Sequence, residues 1–188
     1  SRVPDTIEEL TKLSGVGRTL GAKEYLWYYR KVELPEDFGK GRYILHFGAV
    51  DQIATVWVNG VEFGTHTGGF TPFSYDVTEA ITDNVLMILV RVQDVTDNSS
   101  HSRGKQRTKR GGIWYTPQSG IWQTVWLEAV PQTHIDSYYV VSDISTGEIE
   151  VKVNTSAFKL GDELQVEVLE GGVGYNPAKP SSKTLAMV

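Results

Sequence analysis

The 188-residue sequence contains no cysteine. It therefore has no disulfide framework, no zinc–thiolate site and no thiol nucleophile, and its redox compartment cannot be inferred. Long hydrophobic runs are also absent, because the longest one, residues 85–90, is far shorter than the roughly 20 residues that a membrane-spanning helix needs. The sequence thus predicts neither a thiol enzyme nor a helical membrane protein.

Positive charge is scarce overall. The formal net charge is −5, which disfavours a nucleic-acid or anionic-membrane partner unless basic residues are locally concentrated. One such concentration exists, the run RGKQRTKR at residues 103–110, with five positive charges. The aromatic residues lie beside this run and are not interleaved with it, which argues against phosphate-backbone binding. A solvated loop, or a loop that folds over a partner surface or a sugar site, remains open.

The motifs of common catalytic and cofactor sites are missing. The four histidines lie far apart, without metal-ligand spacing. Neither a Gly-x-Ser-x-Gly nucleophile elbow nor a glycine-rich phosphate loop occurs. No two carboxylates have a spacing that defines the pair a glycosidase requires. We therefore predict no catalytic residue, no metal site and no cofactor.

Short strands separated by turn residues dominate what is present. Asn59-Gly60, between TVWV and VEF, suits a type I′ turn and predicts a β-hairpin over residues 51–64. Residues 85–92 are apolar at nearly every position and predict a central strand. No amphipathic helix of ordinary length appears between residues 25 and 130, so the sequence predicts an all-β jelly-roll sandwich and not a parallel sheet.

A domain boundary is predicted at PQTH, residues 131–134, giving a first domain at 1–133 and a second at 134–188. Only 55 residues follow Thr133, whereas an immunoglobulin-type sandwich needs about 100. The second domain is therefore interpreted as a truncated sandwich.

The second domain shows period-two alternation, with Ile149, Val151 and Val153 pointing one way and polar residues the other. This pattern is typical of a half-buried antiparallel meander. The predicted strands are residues 135–141, 147–155 and 163–169. If the sandwich is incomplete, we expect these strands to expose an uncovered apolar face or an unpaired edge.

The densest aromatic stretch, GGIWYTPQSGIWQTVWLE at residues 111–128, holds three of the five tryptophans. From Gly120 to Val130 it predicts one strand that is largely apolar on both faces. Such a strand is covered on both sides, so we expect Trp122 and Trp126 to pack against neighbouring layers.

The residues before Gly120 predict a loop that presents Trp114 and Tyr115. These rings either contact a sugar or another domain, or they pack inside the sandwich. The residues alone leave both alternatives open.

Five separated motifs carry a resemblance to a known family. In chain order they are WYYRKVELP (27–35), HFGAVDQIATVWVNGVEFGTHTGGFTPFSYDVT (46–78), VRVQDVTD (90–97), RGKQ (103–106) and SGIWQTVWLE (119–128). Together they resemble the N-terminal sugar-binding, jelly-roll domain of glycoside hydrolase family 2, which contains β-galactosidases, β-glucuronidases and β-mannosidases. The resemblance covers roughly residues 1–133, and the remainder resembles the start of the family's immunoglobulin-like second domain.

The resemblance implies a galactose-binding-like jelly-roll β-sandwich followed by a partial immunoglobulin-like β-sandwich. In the family a (β/α)₈ barrel follows and carries two catalytic glutamates, one of them within an Asn-Glu dipeptide. This sequence contains no Asn-Glu dipeptide, and a barrel of about 250 residues does not fit after Thr133. The resemblance therefore implies a non-catalytic region of a retaining glycosidase, with the barrel domain as partner and a carbohydrate as substrate of the parent protein.

Loops of the family's jelly roll reach the active site of the barrel, and the loop before Ser119-Gly120-Ile121 corresponds to one of them. Where β-galactosidases carry a sugar-contacting aspartate, this sequence has aromatic residues, which can instead stack on a sugar ring. We expect six residues to bind substrate or face the active site: Trp114, Tyr115, Arg103, Lys105, Gln106 and Asp94.

An alternative function is an autonomous carbohydrate-binding module, which would bind sugars without a catalytic domain. An adhesion or protein-interaction sandwich is a third hypothesis. We predict no nucleic-acid and no membrane partner. The sugar, the linkage, a homo-oligomeric state and the compartment, whether bacterial periplasmic, secreted or cytoplasmic, are left open by the sequence.

Overall fold

The computed structural model describes residues 19–157, 161–169 and 182–186. Within them the regular elements are strands and two short 3-10 turns, Thr78–Ala80 and Thr96–Asn98. The strands are β1 (Leu26–Glu33), β2 (Arg42–Phe47), β3 (Val50–Asp51), β4 (Ile53–Val58), β5 (Val61–Thr67), β6 (Phe73–Asp76), β7 (Val85–Gln93), β8 (Gly120–Ile121), β9 (Val125–Val130), β10 (Ile135–Asp143), β11 (Glu148–Thr155), β12 (Gln165–Leu169) and β13 (Ser182–Ala186). The predicted all-β class is confirmed.

The chain divides into two compact units, Ser1–Pro131 and Gln132–Val188. The first unit contains a four-stranded sheet of order β1-β7-β4-β5, a three-stranded sheet of order β6-β2-β9 and the short pair β3-β8. Every pairing is antiparallel. The apolar strand β7 lies between β1 and β4, as the sequence predicts.

The core of the first unit lies between these two sheets. Alternate residues of β4 and β7 supply one side, and β2 supplies the other through Leu45 and Phe47. The Phe47 ring is fully buried and stacks on Phe73 with ring centres 4.7 Å apart. Closure of two sheets over one apolar layer is what makes this unit a sandwich.

The predicted hairpin is confirmed. Asn59 and Gly60 have φ values of 49° and 83°, the left-handed conformation that a type I′ turn requires. The Asn59 side chain also donates to the carbonyls of Ala80 and Val85, at 2.8 Å each, and accepts from the N–H of Met87 at 2.7 Å. The turn is therefore tied to the start of β7 as well as to its own strands.

The single strand predicted from Gly120 to Val130 is wrong, because the chain breaks into β8 and β9. Strand β8 pairs with β3, whereas β9 pairs with β2. Between them the N–H of Gly48 donates to the carbonyl of Thr124 at 2.9 Å. The chain has to change its pairing partner here, and a regular strand cannot do that without a break.

The prediction that both faces of this segment are covered is also wrong. Trp122 and Trp126 are both about half exposed. Trp126 lies on the outer face of the three-stranded sheet, where its ring stacks on His46 with centres 4.6 Å apart. A cross-strand ring pair takes the place of the expected neighbouring layer.

The described strands of the second unit form two separate antiparallel pairs, β10–β11 and β12–β13. The three predicted strands are present, but β12 pairs with β13, which departs from the expected meander. Val151 and Val153 are half-buried, whereas Ile149 is exposed. Every residue of β10 is exposed, so the expected uncovered apolar surface is present on this strand.

Candidate functional site

Three loops meet at one end of the first unit, around the short β3–β8 pair: the connection from β2 to β4, which contains β3, the loop after β5 and the loop after β7. Asp51 in β3 pairs with Gly120 in β8. The N–H of Gly68, in the loop after β5, donates to the carbonyl of Gln52 at 2.9 Å. The third loop, residues 94–119, connects β7 to β8 and ends at this pair. We call this region the loop end.

Asp94 joins the two ends of the long loop. Its side chain is only 3% exposed. One carboxylate oxygen accepts from the N–H and the hydroxyl of Thr96, at 2.8 and 3.0 Å, and the other accepts from Ser119 Oγ at 2.6 Å. These bonds satisfy both oxygens, so Asp94 lies at the base of the loop and fixes where the loop leaves and rejoins the sandwich.

Asp51 is the second buried carboxylate of the loop end, 6% exposed. Burial and, after it, the Asp94 carboxylate raise the pKa of Asp51 to about 6, while a hydrogen bond from the Gln106 side chain opposes the rise. The Gln106 Oε1 atom in turn accepts from the N–H of Gln118 at 2.5 Å. Gln106 therefore links the long loop, through its bond to Asp51, to strand β3 of the sandwich.

Gly69 brings the second loop against Asp51. A β-carbon at Gly69 would lie 2.7 Å from Asp51 Oδ1, which no real side chain tolerates. The carbonyl of Gly69 accepts from Trp122 Nε1 at 2.7 Å, and the Phe70 ring meets Trp122 edge to face at 6.1 Å. The absence of a side chain at Gly69 is what lets this loop close over the carboxylate.

The basic run folds back on the loop that carries it. Arg103 Nη1 donates to the carbonyls of Thr96 and Ser99, at 3.2 and 3.4 Å, and its Nε lies 3.9 Å from Asp97. The N–H of Thr108 donates to Asp97 at 2.9 Å. Arg103 thus holds the loop from within.

In the outer part of the loop the chain folds back on itself, with a parallel bridge between Gln106 and Tyr115 and an antiparallel bridge between Gly111 and Trp114 at the tip. The N–H of Tyr115 donates to the carbonyl of Lys105 at 2.7 Å, and the N–H of Arg107 donates to the carbonyl of Tyr115 at 3.0 Å. Gly111 and Trp114 close the tip with reciprocal backbone bonds. We call residues 105–115 the aromatic hairpin, because it presents the two aromatic residues of this loop.

The side chains of the aromatic hairpin differ in exposure. Tyr115 is 64% exposed, and Ile113 at the tip is as exposed. Trp114 is half-buried, with the Arg107 guanidinium carbon 3.8 Å from its ring centre. A cation this close stabilises the ring by a cation–π interaction. The loop end therefore combines exposed rings and basic side chains with two buried carboxylates, those of Asp51 and Asp94, beneath them.

Exposed rings can stack on the apolar faces of sugars or pack against another domain. Among the described residues, no group of three or more His, Cys, Asp or Glu side chains is placed to hold a metal ion. No helix in the described part of the chain is long and apolar enough to cross a membrane.

The six residues predicted from the sequence all lie in the long loop but at different depths. Tyr115, Trp114, Lys105 and Gln106 belong to the aromatic hairpin, whereas Arg103 and Asp94 lie below it. Sequence reasoning missed Asp51 and Gly69. The signals for them were a lone acidic residue at the head of an apolar strand and the flexible pair Gly68-Gly69.

Comparison with known proteins gives one family match. The family model described as glycosyl hydrolase 2 galactose-binding domain-like matches residues 16–123. The β-galactosidase of Thermoanaerobacter pseudethanolicus is 33% identical over 132 residues, which cover 69% of this chain and 17% of that protein. Human β-glucuronidase is 27% identical over 171 residues, covering 78% of this chain and 26% of that protein.

Solved structures agree at the level of the fold. The crystal structure of Ruminococcus gnavus β-glucuronidase matches with a TM-score of 0.57 and 23% identity, covering 71% of this chain and 25% of that one. At this identity the likeness shows the fold alone. The chain thus spans about a quarter or less of the length of these relatives.

The two sheets and the loop end define an all-β sandwich domain of the galactose-binding-like class. The chain belongs to glycoside hydrolase family 2, and it resembles the N-terminal domain of the family's β-glycosidases.

Proposed function

We propose that this chain is the non-catalytic N-terminal region of a family 2 β-glycosidase. Its loop end supplies contacts to the active site of a (β/α)₈ barrel elsewhere in the same polypeptide. That polypeptide hydrolyses O-glycosidic bonds of β-linked sugars with retention, and its substrate is a carbohydrate. Residues 1–133 act as the jelly-roll scaffold, and residues 134–188 are part of an immunoglobulin-like sandwich.

The exposed aromatic hairpin is the observation that carries this proposal. Tyr115 is 64% exposed, yet its backbone is fixed on both sides by Lys105 and Arg107. Gln106, between them, is bound to the buried base of the loop. A large ring that is held out into solvent on an anchored support favours a surface shaped for a ligand or a neighbouring domain.

The state of the two buried carboxylates supports a non-catalytic role. The acid and the nucleophile of a retaining glycosidase must both reach the scissile bond, about 5–5.5 Å apart. Asp94 has both oxygens bound by Thr96 and Ser119. Asp51 is 6% exposed beneath Gly69. Neither side chain is open to a substrate, so their role is to hold the loops.

The proposal is tested in the longer polypeptide that contains this chain, assayed with aryl β-glucuronide, β-galactoside and β-mannoside. Because Tyr115 joins its hairpin through backbone bonds, Tyr115→Ala should lower kcat/KM on the preferred substrate by about tenfold or more, which is about 1.4 kcal/mol of transition-state stabilisation. The melting temperature should not change.

Val61→Ala is the matched control. Val61 is also an exposed apolar residue, but it follows the Asn59-Gly60 turn at the opposite end of β5 from Gly68. We expect this variant to keep the parent kcat/KM. Equal kcat/KM values for the Tyr115 and Val61 variants would contradict the proposal that the loop end serves the active site.

A further inference from the structure

A second aromatic surface lies on the outer face of the four-stranded sheet, away from the loop end. The register places Trp27 opposite Arg91, and Arg91 opposite Thr55. The neighbouring residues Val90 and Val56 point into the core. Since side chains alternate along a strand, Trp27, Arg91 and Thr55 form a row on the outer face.

The next row on this face adds further rings. Tyr29 lies opposite Leu89, and Leu89 lies opposite Trp57. The rings of Trp27 and Trp57 stack with centres 5.9 Å apart and planes 28° apart. Two neighbouring rows thus place indole rings around one arginine.

Arg91 is surrounded by aromatic rings on this face. Its guanidinium carbon lies 5.1 Å from the ring centre of Tyr25, 5.9 Å from that of Trp27 and 5.5 Å from that of Trp57. All three distances fall within the range of a cation–π interaction. We call Tyr25, Trp27, Trp57 and Arg91 the Arg91 platform.

The floor of the platform holds the guanidinium in place. Thr55 is only 2% exposed. Its hydroxyl shares a hydrogen bond with Thr65 at 2.8 Å and accepts from Arg91 Nη2 at 3.2 Å. Arg91 is therefore oriented by the buried Thr55 hydroxyl, and binding a ligand would cost little of its conformational entropy.

Arg91 differs from Arg42 and Arg103 in its partners. Arg42 forms an ion pair with Asp76, and Arg103 lies near Asp97. Within the described parts of the chain, no carboxylate forms an ion pair with Arg91, and its one side-chain hydrogen bond goes to Thr55. A guanidinium offers five N–H donors in a fork that fits a carboxylate. The platform therefore has unused donors for an anion.

The platform is small and has polar borders. Along β1 it ends at the Lys31–Glu33 ion pair, whose atoms are 2.6 Å apart. At the other end the Gln93 side chain donates to the carbonyl of Ala22 at 2.8 Å. Its residues occupy three rows on three strands, so two strand spacings and two row spacings give about 10 Å by about 13 Å. The resulting area of about 130 Å² is far below the roughly 800 Å² per partner of a stable protein interface.

We propose that the Arg91 platform binds an anionic sugar, a uronic-acid residue of a glycan. The carboxylate pairs with the Arg91 guanidinium, and the apolar face of the sugar ring packs on Trp27 and Tyr25. Trp27 is 52% exposed, so its ring is open to such a ligand. This site is independent of the proposed function, because it uses a sheet face and not the loop end.

The test is a titration of the 188-residue chain with two disaccharides. Cellobiouronic acid carries a carboxylate where neutral cellobiose carries a hydroxymethyl group. The readout is the indole N–H resonances in ¹⁵N-¹H correlation spectra, assigned by single Trp→Phe variants. We expect the acid to shift the Trp27 and Trp57 signals with a Kd near ~1 mM and cellobiose to bind at least about tenfold more weakly.

Three variants check the assignment. Arg91→Gln should weaken binding of the acid by about tenfold or more, since it removes the cation. Trp27→Ala, which changes an exposed ring, should do the same and provides a second test if Arg91→Gln fails to fold. Lys31→Gln removes a cation from the border of the same face and should leave the Kd within about twofold.

Several results would overturn this inference. Equal affinity for both disaccharides would show that no carboxylate is recognised. Shifts confined to the Trp114 or Trp122 signals would place binding at the loop end. Trp27 shifts that depend on protein concentration without sugar would make the face a protein interface.

Discussion

The first unit closes around its apolar residues, whereas the described strands of the second unit do not. In the first, Phe47 and its neighbours in β2, β4 and β7 are fully buried between two sheets. In the second, all of β10 is exposed, and Tyr138 is 70% exposed. Both units have alternating strands, so alternation alone does not make a core. A core needs a second layer.

The two units therefore differ in how far each one covers its own apolar residues. The first encloses a shared apolar interior between two sheets. The second has hairpins with apolar side chains in water, which a sandwich covers with further strands. Within our proposal, the covering strands come from the rest of the parent polypeptide.

The strongest test of the comparison is a pair of large-to-small substitutions. Phe47→Ala should lower the free energy of unfolding of the first unit by about 3–5 kcal/mol, because it leaves a cavity against Phe73. Tyr138→Ala should change this free energy by no more than about 0.5 kcal/mol, because the exposed side chain buries little surface. Urea denaturation followed by tryptophan fluorescence measures both. A comparable loss in the two variants would show that Tyr138 contributes to the stability of the first unit, which would contradict its exposed position in β10.

A second prediction concerns the tight junction beside the loop end. Gly120 has a φ of 102°, and a β-carbon there would lie 2.1 Å from the Tyr28 hydroxyl. Gly120→Ala should therefore cost about 2–4 kcal/mol from backbone strain and overpacking. Gly104→Ala is the control, because Gly104 also has a positive φ but has nothing within 4 Å of the added carbon. It should cost about 1 kcal/mol, and equal losses in thermal unfolding would refute the close approach.

The elements that were predictable from the sequence are those set by local chemistry. Asn59-Gly60 requires left-handed backbone conformations, and the apolar run of β7 suits a strand inside a sheet, so the hairpin and the central strand were both predicted correctly. The break between β8 and β9 was not predictable, because it reflects a change of pairing partner from β3 to β2. No property of the segment itself encodes that change.

In the candidate site, too, features set by neighbouring residues were predictable, and features that depend on residues remote in sequence were not. The aromatic hairpin was visible because Trp114 and Tyr115 lie among turn residues. The role of Asp51 was not visible, because its surroundings come from Gly69, Asp94 and Gln106, which are remote from it in sequence. The Arg91 platform was missed for a related reason: its residues belong to three strands, and only the register brings them together.

A third prediction uses the buried carboxylate of the first unit. Burial and Asp94 raise the pKa of Asp51 to about 6, above the ~3.9 expected in the unfolded chain. Between these values the folded state binds more protons, so stability falls as pH rises from about 4 to about 6. Asp51→Asn should remove this slope and be more stable than the parent by about 2 kcal/mol at pH 7, with little difference at pH 4.

Asp76 provides a control of opposite sign. Burial raises the pKa of Asp76, but hydrogen bonds from Thr78 and Arg42 outweigh it and hold the pKa below its ordinary value. Ionised Asp76 therefore stabilises the fold above the unfolded pKa, and this contribution is lost as pH falls through the folded pKa. Asp76→Asn should be destabilised at pH 7. Thermal melts across pH 4–7 in which both variants shift in the same direction would contradict this assignment.

The smallest expected effect concerns association of the second unit. The exposed side chains of β10 include Val140 and Val141, so the chain should self-associate weakly at high concentration. Val141→Lys should reduce this association without changing the stability of the first unit, and Lys152→Gln is a charge control on the paired strand. Sedimentation velocity over a concentration series measures it. A parent chain that stays monomeric at every concentration would show that the β10 surface does not cause self-association.

The most direct test of the central claim is an activity assay of the 188-residue chain by itself. The chain is incubated with aryl β-glucuronide, β-galactoside and β-mannoside, and release of the aryl alcohol is followed before and after a second purification. We predict no turnover above background, because Asp51 and Asp94 are buried and bound within the loop end. Turnover that survives repurification and scales with the amount of chain would contradict a non-catalytic role.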